Sequence, residues 1–130
     1  PSIILALKKS GVAKIAISNR TKEKAEDLKT IHPDLEIIDW GENTKFDMII
    51  NTTSVGLKRN DKIKLDFSKV GPNKLFYDVI YNPKKTNFLA QGEKSGNKIE
   101  NGKMMFIYQA QLSFDIWHNI LPNVEEKILN

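Results

Sequence analysis

At 130 residues, with 40% hydrophobic and 28% charged side chains, the chain has the size and composition of one globular domain with a core of its own. No run reaches the roughly 18 apolar residues needed to cross a bilayer and nothing resembles a signal peptide, so a cytoplasmic setting with no membrane partner is expected. The absence of cysteine and the wide separation of His32 and His118 exclude thiolate chemistry, disulfides and an obvious metal site, and a net charge of +4 carried on scattered lysines suits an anionic small ligand better than nucleic acid.

In chain order, Ser2 to Ser10 reads as a helix with an apolar body and a basic last turn, stopped by Gly11. No initiator methionine precedes Pro1, and no strand precedes this helix, although an α/β unit normally begins with one. The sequence therefore reads as a piece of a longer protein that starts inside its first βαβ unit. Lys14 to Ser18 has strand character and runs into the polar corner Asn19-Arg20-Thr21, which opens a helix carrying Ala25, Leu28 and Ile31 at helical spacing. After the turn signal His32-Pro33-Asp34, Leu35 to Asp39 is a short strand. Phe46 to Asn51 is almost continuously apolar, the pattern of a parallel strand covered on both faces.

The corner Asn51-Thr52-Thr53-Ser54-Val55-Gly56 follows, and then a second buried strand, Leu75 to Ile80, ending at Tyr81-Asn82-Pro83. A helix from Thr86 to about Ser95 stops at Gly96, Asn97 to Glu100 forms a brief edge strand, and a long helix runs from about Gly102 to Asn119. Pro122 to Glu126 starts a short terminal helix. Alternating strands and helices imply an α/β fold: a Rossmann-like, doubly wound, mostly parallel sheet, here lacking its first strand and glycine-rich loop.

In such a fold ligands bind beyond the carboxyl ends of the strands, where the corners at 19 to 21, 51 to 56 and 78 to 83 all fall. An acidic residue after the second strand selects a ribose 2′-hydroxyl, whereas an arginine accommodates a 2′-phosphate; Asn19 and Arg20 stand there with no carboxylate. The 51 to 56 corner packs an amide and three hydroxyls ahead of a glycine that lets backbone approach a ligand, or else makes local side-chain-to-backbone turns. On the long helix, Met105, Gln109, Leu112 and Ile116 share one stripe, so Gln109 is a long amide on an apolar face that must find a backbone partner or a ligand.

These residues carry a resemblance to the C-terminal, NADP-binding domain of the shikimate dehydrogenase family, running essentially from end to end. Asn19-Arg20-Thr21 with Lys24-Ala25 resembles its cofactor-selecting motif, and Asn51 to Leu57 its post-strand motif. Asp78 to Pro83, with Thr86 and Phe88-Leu89, resembles the corner whose tyrosine lies near the substrate. Asn101-Gly102-Lys103-Met104-Met105, Gln109, Ser113-Phe114 and Trp117 resemble its last helix, which packs back toward the substrate domain. Lys103 and Met104 depart from the smaller or apolar residues that often precede that methionine.

The resemblance implies NADPH-dependent, reversible reduction of 3-dehydroshikimate to shikimate in aromatic amino-acid biosynthesis. It implies that Asn19, Arg20, Thr21 and Lys24 hold the 2′-phosphate of NADP, and that Asn51, Thr52, Thr53, Ser54 and Val79 lie along the cofactor. Gly102 and Met105 would flank its nicotinamide, and Tyr81 and Gln109 would reach the substrate. The whole chain, 1–130, is then a partial NADP-binding domain, and the catalytic lysine and aspartate fall in a substrate domain outside it, so this piece alone is expected to be inactive. In the strand order 3-2-1-4-5-6 the strand expected upstream is central, and its loss would leave edges apt to pair with another copy of the chain. An NAD-using quinate/shikimate dehydrogenase and a non-catalytic dinucleotide-binding module are the alternatives.

Overall fold

The computed structural model describes residues 1–42, 44–58 and 60–125. The chain divides into two compact units, 1–44 and 45–130. In the first, α1 (Ser2–Lys9) ends as its glycine foretells: Gly11 takes φ +75°, its N–H donates to Lys8 O at 3.0 Å, and the N–H of Val12 donates to Leu7 O at 3.2 Å. That pair of bonds is a Schellman cap, which needs a left-handed residue where only glycine is unstrained. β1 (Ala16–Ile17) and β2 (Glu36–Ile37) pair in parallel, and α2 (Lys22–Ile31) crosses between them and packs on β2. Ile4, Ala25 and Leu35 form the buried apolar set of this unit.

The second unit is a three-stranded parallel sheet in the order β3-β4-β5, built from β3 (Met48–Asn51), β4 (Leu75–Asp78) and β5 (Lys98–Glu100). The crossover helix α3 (Asn87–Lys94) packs across β4 and β5 and ends in a second Schellman cap at Gly96. Its first turn is closed by Thr86, whose hydroxyl accepts from Leu89 N at 3.3 Å. The core is aromatic. Phe76 is fully buried with its ring edge-on to Phe46 and Phe67, while Phe88 lies tilted against it. Gly92 makes this packing feasible, because a Cβ there would stand 2.5 Å from the Phe76 ring. The peptide bond between Asn82 and Pro83 is cis.

The strands are shorter than their apolar patterns, and β3 is not covered on both faces: Met48 is 42% exposed, and Ile49 and Ile50 are half-buried. The apolar run is real, but α3 lies over β4 and β5, so β3 is left at the margin of the core. α4 (Lys103–His118) departs further from expectation, since none of its residues is buried. Residues 121–125 are not helical, and the rest of the expected terminal helix falls outside the described residues. Among the described residues no helix is long and apolar enough to cross a membrane.

Candidate functional site

Among the described residues, four of the five strands lead out through the same local device. An Asn or Asp side-chain oxygen accepts the backbone N–H two residues on, at Asn19 (from Thr21 N, 2.9 Å), Asn51 (from Thr53 N, 3.0 Å), Asp78 (from Ile80 N, 3.0 Å) and Asn101 (from Lys103 N, 3.0 Å). Such Asx turns redirect the chain directly after a strand.

In unit 1 the turn at Asn19 sets Arg20, Thr21 and Lys24 in the open: all three are exposed. No ion pair or hydrogen bond engages the Arg20 guanidinium among the described residues, whereas the nearby Lys22 pairs with Asp39 at 3.7 Å. Thr21 stands at the N-cap of α2 without a side-chain cap bond. An unpaired guanidinium, a free hydroxyl and an ammonium one turn along a helix start form a donor set suited to a phosphate dianion.

The corner at 51 to 56 in unit 2 is built differently. Asn51 is buried; its amide nitrogen donates to Val55 O at 3.0 Å and to Asp78 Oδ1 at 3.1 Å, and its oxygen accepts from Thr53 N and, at 2.7 Å, from Thr53 Oγ1. Thr53 Oγ1 in turn accepts from Val55 N at 3.1 Å. Both side chains expected along a cofactor therefore act on the corner itself, and the groups left facing outward are the exposed Thr52 and Ser54. Gly56 has φ +121°, and a Cβ there would press on Thr86 Cγ2 at 3.2 Å and Ile80 Cδ1 at 3.3 Å.

Asp78, a residue the sequence marked only as part of a turn, is the hub. Fully buried, it receives Asn51 Nδ2 and Ile80 N on Oδ1 and, at 2.6 Å, Thr86 Oγ1 on Oδ2. Its partners at 51 and 86 are too distant in sequence for any local pattern to reveal them. Val79 meets the site through its backbone: its N–H donates to Asn51 O at 3.1 Å, and its carbonyl oxygen lies where a Cβ on Gly102 would come within 1.9 Å. Gly102 N donates to Ile80 O at 3.2 Å, so the start of α4 is pressed against the end of β4 and only glycine fits.

Tyr81 is 44% exposed, with its ring stacked on Phe106 at 4.7 Å and 21°. Phe106 and Gln109 line one shallow hollow with Ala110, Ser113, Phe114 and Trp117, so the phenylalanine on which Tyr81 stacks shares that hollow with Gln109. Gln109 itself is exposed, which corrects the expectation of a buried amide. The far part of the apolar stripe on which that expectation rests faces outward, with Leu112 57% and Ile116 81% exposed. Met105 is half-buried beside Gly102 in the first turn of the helix.

No family model matches the chain. The shikimate dehydrogenase (NADP⁺) of Pelagibacter ubique is 56% identical over 129 residues, covering 99% of this chain and 49% of that protein. The fold agrees: the crystal structure of shikimate dehydrogenase from Aquifex aeolicus aligns over 85% of this chain and 41% of its own, at 33% identity and a TM-score of 0.73. A shikimate dehydrogenase solved in complex with NADP⁺ aligns over 85% of this chain and 42% of its own, at 32% identity and a TM-score of 0.78. The chain resembles the shikimate dehydrogenases in sequence and in fold. It spans about half the length of the curated shikimate dehydrogenases it matches. The parallel α/β architecture expected from the alternating pattern is that of these shikimate dehydrogenases.

Proposed function

We propose that the chain is the NADP-binding domain of a cytoplasmic shikimate dehydrogenase, an oxidoreductase that interconverts 3-dehydroshikimate and shikimate. The observation that carries this reading is identity of 56% across nearly the whole chain to an NADP⁺-dependent shikimate dehydrogenase. The exposed, unpaired Arg20 on an Asx turn after β1 supports the cofactor choice.

The cofactor supplies the hydride. The chain's own residues bind and orient. Arg20, with Asn19, Thr21 and Lys24, would hold the 2′-phosphate through charge-assisted hydrogen bonds. In unit 2, Thr52, Ser54 and the backbone of the corner would line the ribose, with Asn51 and Thr53 keeping that backbone in shape. Gly102 and Met105 would bound the nicotinamide, and the Tyr81 hydroxyl and Gln109 amide would bind hydroxyl groups of the substrate. The catalytic lysine and aspartate that the resemblance implies are given to no residue of this chain.

The test is Arg20→Ala in the complete enzyme. Each charge-assisted bond to the 2′-phosphate is worth about 1.5 to 3 kcal/mol, so affinity for NADP should fall roughly ten- to over a hundredfold while affinity for NAD changes little. Equal loss for both cofactors would show that Arg20 only shapes the corner.

A further inference from the structure

Tyr81 is placed on its surface by three constraints, and a single buried carboxylate stands behind the first of them. The residue before it, Ile80, donates its N–H to Asp78 Oδ1 at 3.0 Å and accepts at its carbonyl oxygen from Gly102 N at 3.2 Å, and the Tyr81 ring lies on Phe106. Asp78 cannot shift to follow a moving loop, because the same carboxylate holds Asn51 Nδ2 at 3.1 Å and Thr86 Oγ1 at 2.6 Å, and the side chain is fully buried. The corner at 51 to 55 has further bonds of its own through Asn51 and Thr53, and α3 keeps its cap through Thr86 and Leu89. The turn into Tyr81 is held on its strand side by the Ile80 N–H on Asp78 and by the neighbouring Val79 N–H on Asn51 O.

We propose that Asp78 is a positioning residue, which fixes the Tyr81 hydroxyl for its substrate by anchoring the Asp78–Ile80 turn to the ends of β3 and α3. The proposal rests on Tyr81 touching substrate, as argued under Proposed function. A buried carboxylate with three donors is the natural anchor for such a turn, because both oxygens can accept and neither must donate. A serine at this position has one oxygen and a shorter reach, so it cannot hold Ile80, Asn51 and Thr86 together. An asparagine keeps an oxygen for Ile80 and Asn51 but turns its amide N–H toward Thr86, whose hydroxyl must then accept.

The experiment is a double-mutant cycle in the complete enzyme, with Asp78→Ser, Asp78→Asn and Tyr81→Phe measured singly and combined, and with the core variant Phe88→Leu as a control for lost stability. Asp78→Ser should lower kcat/KM for shikimate by about tenfold or more with KM for NADP⁺ nearly unchanged, and Asp78→Asn should restore most of that loss. On the Tyr81→Phe background the Asp78→Ser effect should shrink to about twofold or less, since the group being positioned is gone. Phe88→Leu should lower the melting temperature without this kinetic signature. If Asp78→Ser does not fold, the smaller effect of Asp78→Asn should show the same disappearance on the Tyr81→Phe background. Full additivity, with Tyr81→Phe itself defective, would overturn the positioning role alone. Wild-type kinetics for Tyr81→Phe would overturn the substrate contact and the positioning role with it.

Discussion

Asn19 and Asn51 make the same turn after a parallel strand, yet they do opposite things with the residues around them. At Asn19 the amide oxygen accepts one N–H, and the side chains that follow, Arg20, Thr21 and Lys24, are left exposed. At Asn51 the amide makes four hydrogen bonds, and the polar atoms of its corner are joined to Thr53, Val55 and the buried Asp78. Polar residues at a strand end are therefore of two kinds. Those with local and core partners shape the loop, and those without are the ones available to a ligand. Burial distinguishes them: Asn51 is 4% exposed, while Arg20, Thr52 and Ser54 lie in the open.

The largest expected effect lies beside the internally bonded corner, where the start of α4 meets the end of β4. Gly102→Ala places a Cβ 1.9 Å from Val79 O and 2.5 Å from Val79 C, both backbone atoms that cannot rotate away. Destabilisation of about 4 kcal/mol or more is expected, in the range reached only by severe overpacking and strain. Gly71→Ala is the matched control, since nothing lies within 4 Å of its Cβ position, and it should stay within about 0.5 kcal/mol of wild type. Urea denaturation of the two variants measures the difference, and a stable Gly102→Ala would mean that β4 and α4 are free to separate.

Next comes the direct comparison of the two asparagines. Asn51→Ala removes partners from Val55 O, Thr53 N and Asp78 in a buried setting, where an unsatisfied polar group costs about 1 to 3 kcal/mol, so a total near 3 kcal/mol is expected. Asn19→Ala removes one bond that water can replace, and should cost less than about 1 kcal/mol. Similar shifts in the urea midpoint for both would erase the distinction between a shaping corner and a ligand-facing one.

That distinction also marks what was legible in the sequence. Short-range devices were: the caps at Gly11 and Gly96, the start of α3 at Thr86, and the turns at 19, 51 and 78 all involve partners within a few residues. The Asp78 hub was not, because Asn51 lies 27 residues away and Thr86 eight, and an Asp at a strand end reads equally well as a simple turn. Gln109 misled for a related reason. Periodicity reports which residues of α4 share a face, but whether that face is covered depends on what packs against it, and no residue of α4 is buried. The resemblance makes Gly102 a ligand neighbour, and its nearest constraint within the chain is the Val79 carbonyl, a contact that only coordinates reveal.

The smallest effect expected concerns unit 1, which is held by a modest apolar set and by ties at its surface. The Lys8 ammonium hydrogen-bonds and pairs with the Asp34 carboxylate, joining the last turn of α1 to the turn before β2. This bond holds the Asp34 carboxyl below its ordinary value of 3.8. A carboxylate whose folded value is depressed stabilises the fold above the unfolded value, and the contribution is lost as pH falls through the folded one. The tie should therefore be fully present at neutral pH and disappear only below about pH 4, and because the Asp34 side chain is open to water its contribution should weaken in high salt. Thermal melts of wild type and Asp34→Asn between about pH 2 and pH 7 isolate it, since every other carboxylate is common to both proteins. The two melting curves should differ at neutral pH and converge in acid; a difference that stays constant across the range would show that Asp34 acts through packing or the turn, not through its charge on Lys8.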